Sequence, residues 1–132
     1  MQFVRFVCGE CIEDVGYRAG FLHAAYQLRI AEDVPEYVQE QLSDAIDWFK
    51  LNLVVPGKFN CSSSKGFVRR NAHGLSWFKA TAADHIGRAR DIMAILEANG
   101  IDCEAIRTDR IGYVIYEDEY QVVAEPFKDT PT

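Results

Sequence analysis

Hydrophobic periodicity in this chain is helical through the middle and alternating at the end, and that order constrains the fold more than any single motif. Val38, Leu42, Ala45, Ile46, Phe49 and Leu53 recur at helical spacing. They predict an amphipathic helix whose outer face carries Glu36, Glu40, Asp44 and Asp47. Asp33-Val34-Pro35-Glu36 precedes the stripe and reads as a capping box. Pro35 is tolerated there because a first-turn N–H has no helical partner to lose. Tyr17, Phe21, Ala25 and Leu28 predict an earlier helix from about Asp14 to Ala31. Phe78, Ala82, Ile86, Ala89, Met93 and Leu96 predict a third, capped by Ser76 and stopped at Asn99-Gly100.

Strand signals lie at both ends. Phe3–Val7 is short and apolar, interrupted by Arg5, with Cys8-Gly9-Glu10-Cys11 after it as a turn. Cys103–Arg107, Tyr113–Tyr116 and Gln121–Glu125 read as a meander. The order β-α-α-α-β-β-β implies an α+β fold: three helices packed on one face of a mainly antiparallel sheet of about four strands. The first strand can pair with any of the last three. A chain of 132 residues with 48% hydrophobic content builds one domain, 1–132, with no need of disulfides. The polar tail Lys128–Thr132 is expected to fray.

Charge is segregated. Trp48 to Ala83 contains six Lys or Arg and no Asp or Glu, in a chain with 14 basic and 20 acidic residues. Such a one-sign stretch sets up a local positive potential whatever the overall charge. Its ends fall on helical stripes, which confines the candidate site to a long loop at about 54–76. Lys58, Lys65, Arg69, Arg70 and His73 are the candidate ligand-binding residues, with Phe67 or Trp77 as an apolar anchor. Lys and Arg suit phosphates, and aromatic faces suit exposed bases. Ser62-Ser63-Ser64-Lys65-Gly66 adds hydroxyls and a pliable backbone, without Walker A spacing. The alternative is that the loop lies over the protein's own acidic faces and is neutralised internally.

Cys8-x-x-Cys11 is a possible redox pair or half a zinc site. Zinc needs two more ligands, and Cys61, His73 and Cys103 are scattered, so small reduced thiols are the expectation. No metal and no cofactor is predicted. His23 and His85 read as helix residues near the core, and Cys61 with His73 as loop residues. Glu117-Asp118-Glu119 is a carboxylate cluster at a hairpin tip, where solubility explains it without catalysis. No apolar run approaches the roughly 20 residues that span a bilayer. The N-terminus reads as a strand and not a signal peptide, so a cytoplasmic location is expected.

The run from Arg107-Thr108-Asp109-Arg110-Ile111-Gly112-Tyr113 to Glu125-Pro126-Phe127 resembles the ending of a group of small bacterial proteins of no assigned function. That resemblance, which extends through Trp77-Phe78-Lys79 and His85-Ile86, implies a bacterial source. Tyr113-Val114-Ile115-Tyr116-Glu117 with Gln121-Val122 is also similar to the last hairpin of ADP-ribosyltransferases of the poly-ADP-ribose polymerase type. That family carries a catalytic Glu where this chain has Gly112. Arg5, Ser62–Ser64 and Glu117-x-Glu119 follow the Arg, Ser, Glu-x-Glu order of the arginine-type transferases.

The leading functional expectation is a non-catalytic binding or regulatory module whose basic loop contacts an anionic ligand, nucleic acid or an acidic protein surface. The competing class is a nucleotide- or NAD-acting enzyme using Arg5, Ser62, Ser64, Glu117 and Glu119. A third is an immunity-type partner protein that works through its acidic helices.

Overall fold

The computed structural model describes residues 1–12, 17–54 and 74–132. They form β1 (Phe3–Ile12), β2 (Tyr17–Gly20), α1 (Phe21–Ile30), α2 (Glu36–Asn52), β3 (Leu75–Lys79), α3 (Ala83–Ala98), β4 (Cys103–Thr108), β5 (Tyr113–Glu117) and β6 (Gln121–Glu125). The class is α+β, and all strand pairs are antiparallel. The sheet has six strands among the described residues, not about four.

The two extra strands come from segments that resemble helix ends. The first helix begins at Phe21, and Tyr17 belongs to β2. The Asp14 cap lies outside the described residues. Ser76, Trp77 and Phe78 belong to β3, so α3 starts at Ala83 with Ala82 as its N-cap residue. For α2 the N-cap residue is Pro35, without the side-chain hydrogen bond that a capping box would supply. β1 runs on through Cys8–Cys11, and the expected turn there is a register shift in its pairing with β2. Gly9 adopts φ +72° beside it.

The topology has one unusual consequence. Phe3–Cys8 of β1 pair with β4 along one edge. Along the other edge, Phe3 and Val4 pair with β3, whereas Val7 to Ile12 pair with β2. The sheet therefore forks at Arg5-Phe6, with β2 and β3 diverging on the same side of β1.

Strand alternation divides the core into two layers. Val4, Phe6 and Cys8 point to the helical face with Phe21, Leu42, Ile46, Phe49, Ile92 and Leu96. Phe6, Phe21, Phe49 and Phe78 form a ring cluster there, with centroids 5.3–6.2 Å apart. Val7, Leu75, Trp77, Ile106, Val122 and Ala124 form the second layer on the opposite face. The tail does not fray at Thr130, which is buried and accepts the Phe127 N–H on its hydroxyl at 2.9 Å. Arg110 secures the same segment through Asp129 at 2.9 Å and lies over the Phe127 ring.

The β5–β6 tip is closed by Asp118. Its carboxylate accepts the backbone N–H groups of Tyr120 and Gln121, the Gln121 side-chain amide and the Tyr116 hydroxyl, at 2.8–3.1 Å. Burial alone would push this carboxyl up, but those hydrogen bonds outweigh it and hold it below its ordinary value. The stabilisation is therefore present above the unfolded value, near 3.9, and is lost as pH falls through the lower folded one. Asp118→Ala is expected to cost about 1–2 kcal/mol at pH 7. In thermal melts the gap between variant and wild type should close as the pH is taken below about 4.

Candidate functional site

The fork opens a cavity of about 440 Å³, within the roughly 300–1,000 Å³ range of small-molecule sites. Arg5 and Phe6 lie at its crotch. Tyr17 and Gly20 of the β2 arm, the first turn of α1, and Leu75 and Ser76 of β3 line its walls. The lining is mostly apolar, with Arg5, His23 and Ser76 among its polar members.

Arg5 is the notable group. It is 5% exposed, on a strand position that faces the second core layer. One guanidinium nitrogen donates to the Arg18 carbonyl at 2.8 Å and another to the main-chain oxygen of Thr132 at 3.5 Å. The Tyr17 ring lies 5.8 Å away. Among the described residues no Asp or Glu side chain forms an ion pair with Arg5. Burial lowers its pKa to about 10, with Tyr17 opposing the shift and Arg18 adding to it. The group therefore remains a cation at neutral pH, desolvated and met among the described residues by main-chain oxygens and the Tyr17 ring.

A second positive contribution comes from α1. Its N-terminus reaches the cavity through Phe21, Leu22 and His23. It has no side-chain cap and no acidic residue in its first turn. Unopposed N–H groups and the helix dipole favour negative charge there.

Leu53 and Gly74 also line the cavity, so the chain leaves and re-enters the described fold at its rim. Both ends are anchored. Gln121, buried between β5 and β3, donates its amide to the Val54 carbonyl and accepts the Ser76 hydroxyl. His85, buried in α3, donates Nε2–H to the Asn52 carbonyl at 2.7 Å and stacks on Tyr120 with centroids 4.3 Å apart. His85 is thus a structural clasp at the end of α2. His23, by contrast, is exposed at the cavity rim. A polar Gln heading the apolar run Val122-Val123-Ala124 was the available sequence signal for the Gln121 anchor.

Of the residues expected to bind ligand, Lys58, Lys65, Arg69, Arg70 and His73 lie outside the described residues, as do Phe67, Cys61 and Ser62–Ser64. Trp77 is described, and it is not a surface anchor. Alternation along β3 turns it with Leu75 into the second core layer, where it is 0% exposed. As a candidate site residue, Arg5 entered the sequence reading only through the enzyme alternative. Its burial depends on the fork, which no local pattern reveals.

Of the residues proposed for that enzyme, Ser62 and Ser64 lie outside the described residues, and Arg5 and Glu117 lie apart. The pairings Val4–Phe78, Trp77–Val122 and Glu117–Val122 place Arg5 and Glu117 in one row across β1, β3, β6 and β5. Three strand spacings amount to about 14 Å. Glu117 is instead engaged by Lys79 at 2.7 Å. Gly112 takes φ +120°, and a Cβ there would collide with the Glu125 carbonyl and the Pro126 backbone. A Glu at that position would need the β5–β6 hairpin to open.

Among the described residues no three His, Cys, Asp or Glu side chains gather as metal ligands would. No helix among them is long and apolar enough to cross a membrane. Comparison with known proteins finds no matching family model, no matching curated protein and no matching solved structure.

Proposed function

We propose that this protein is a non-catalytic binding module for an anionic ligand, held at the sheet fork and working in the bacterial cytoplasm. The observation that carries the reading is Arg5, a buried cation with no Asp or Glu side chain paired to it among the described residues, at the crotch of a cavity of ligand size. A desolvated charge is costly unless an opposite charge meets it, and an incoming carboxylate or phosphate would do so. The uncapped N-terminus of α1 adds to the same potential. Lys58, Lys65, Arg69 and Arg70 belong to the chain segment that begins and ends at the cavity rim, and they draw anions to it from a distance. The apolar walls suit the uncharged part of the same molecule.

Fluorescence anisotropy with a labelled oligothymidylate and a labelled ATP tests this. With four phosphate contacts, oligothymidylate binding should weaken roughly 50-fold between about 50 and 200 mM salt. Joint replacement of Lys58, Lys65, Arg69 and Arg70 by Gln should flatten that dependence. Arg5→Met should weaken binding of either probe by about tenfold or more, while the far-UV circular dichroism spectrum stays unchanged. Failure of both probes to bind at the lower salt would overturn the proposal.

A further inference from the structure

We propose that Cys8 and Cys103 form a reversible oxidation site, at which a peroxide converts two thiols on neighbouring strands into a cross-strand disulfide. This does not depend on the fork cavity being a binding site. The sequence places Cys8 near Cys11, but the sheet register places it opposite Cys103. Both are free thiols, with sulfurs 3.1 Å apart. The Gly9 N–H donates to the Asp102 carbonyl at 2.8 Å. The adjoining Cys8–Cys103 pair is therefore a non-hydrogen-bonded pair of an antiparallel ladder, where opposed side chains come closest. Such a pair has a Cα separation within the range that a disulfide spans.

Access is asymmetric. Cys8 is 3% exposed and points into the helical core layer, whereas Cys103 is half-buried. Cys103 is thus the residue that meets the oxidant. Its thiolate sulfur attacks one peroxide oxygen, the O–O bond breaks, and Cys103 becomes a sulfenic acid as hydroxide leaves and takes the thiol's proton as water. The Cys8 sulfur then attacks the Cys103 sulfur, the S–S bond forms, and the S–O bond breaks with release of a second water. Two thiols lose two electrons and two protons, and one hydrogen peroxide becomes two waters. A dithiol reductant reverses the change.

Burial pushes both thiols above their ordinary value, most strongly Cys8. Glu97 of α3 pushes both the same way, as does Asp102 for Cys103, while Arg18 of β2 opposes it for Cys8. Because the thiolate is the reactive form, oxidation should speed up about tenfold per pH unit between roughly pH 7 and 9. The bridge would close a loop with a sequence separation of 95 residues, which spans all three helices.

The test is peroxide treatment of the full chain carrying Cys11→Ser and Cys61→Ser, followed by intact mass and peptide mapping. The expected product has lost two hydrogens, contains a Cys8–Cys103 cross-link, and melts about 10 °C higher than the reduced protein. Dithiothreitol should restore the original mass and melting point. Cys103→Ala, a half-buried position less exposed to folding defects than Cys8→Ala, should abolish the product. Gain of two oxygens on Cys103 with no cross-link would overturn the proposal, as would a cross-linked protein no more stable than the reduced one.

Discussion

Gly112→Ala is expected to destabilise the protein by about 4 kcal/mol, a fall of about 15 °C in melting temperature. Two effects add. The backbone at Gly112 sits at φ +120°, which an L side chain rarely adopts. The new methyl would also occupy the space of the Glu125 carbonyl and the Pro126 Cα. Every neighbour in that contact is backbone, so no rotamer change relieves it. The collision falls where Tyr113 pairs with Glu125, at the start of the β5–β6 hairpin. Thermal or urea denaturation would measure the loss. A cost below about 1 kcal/mol would mean that the chain does not pass so closely there. The same geometry gives a physical reason for glycine, and not glutamate, at a position compared above with a transferase hairpin.

Trp77→Ala is expected to cost about 3–5 kcal/mol, as truncation of a fully buried aromatic leaves a cavity that the sheet cannot close. Trp77→Phe should be far milder, at about 1 kcal/mol. The indole Nε1 is buried with no hydrogen-bond partner among the described residues, so the change to Phe removes a donor already stripped of water. Denaturation of the two variants side by side gives the comparison. If Phe proves as damaging as Ala, the indole N–H has a partner in solution. Because the ring faces the core, Trp77→Phe should leave oligothymidylate and ATP binding unchanged.

The longer elements were legible in the chain. Val38, Leu42, Ile46 and Phe49 are buried on α2 as their spacing implies, and Glu36, Glu40, Asp44 and Asp47 are exposed. The three C-terminal strands fall within about a residue of their expected bounds at β4, β5 and β6, but they are not the expected meander: β4 pairs with β1, and only β5 and β6 pair with each other. What escaped was short. Four residues of β2 and five of β3 are too few for one period to exclude the other. Tyr17 and Phe78 each fit a helical stripe by spacing, yet pairing with β1 makes both of them strand residues. Of the candidate site, only the charge segregation could be read directly. Arg5 looked like an interruption in an apolar strand, because neither its burial nor the diverging arms beside it leave a mark within a few residues of sequence.

The sequence alone determined the α+β class, the faces of α2 and most of α3, and the concentration of positive charge between Trp48 and Ala83. Each of these depends on residue type and on repeats shorter than a helical turn or two. Tertiary structure alone decided that Arg5 lies at a fork, that Trp77 belongs to the core, and that the partner of Cys8 across the sheet is Cys103. These follow from strand register between segments as much as 95 residues apart. Register is set by the joint burial of two sheet faces, a property of the assembled molecule and not of any local window.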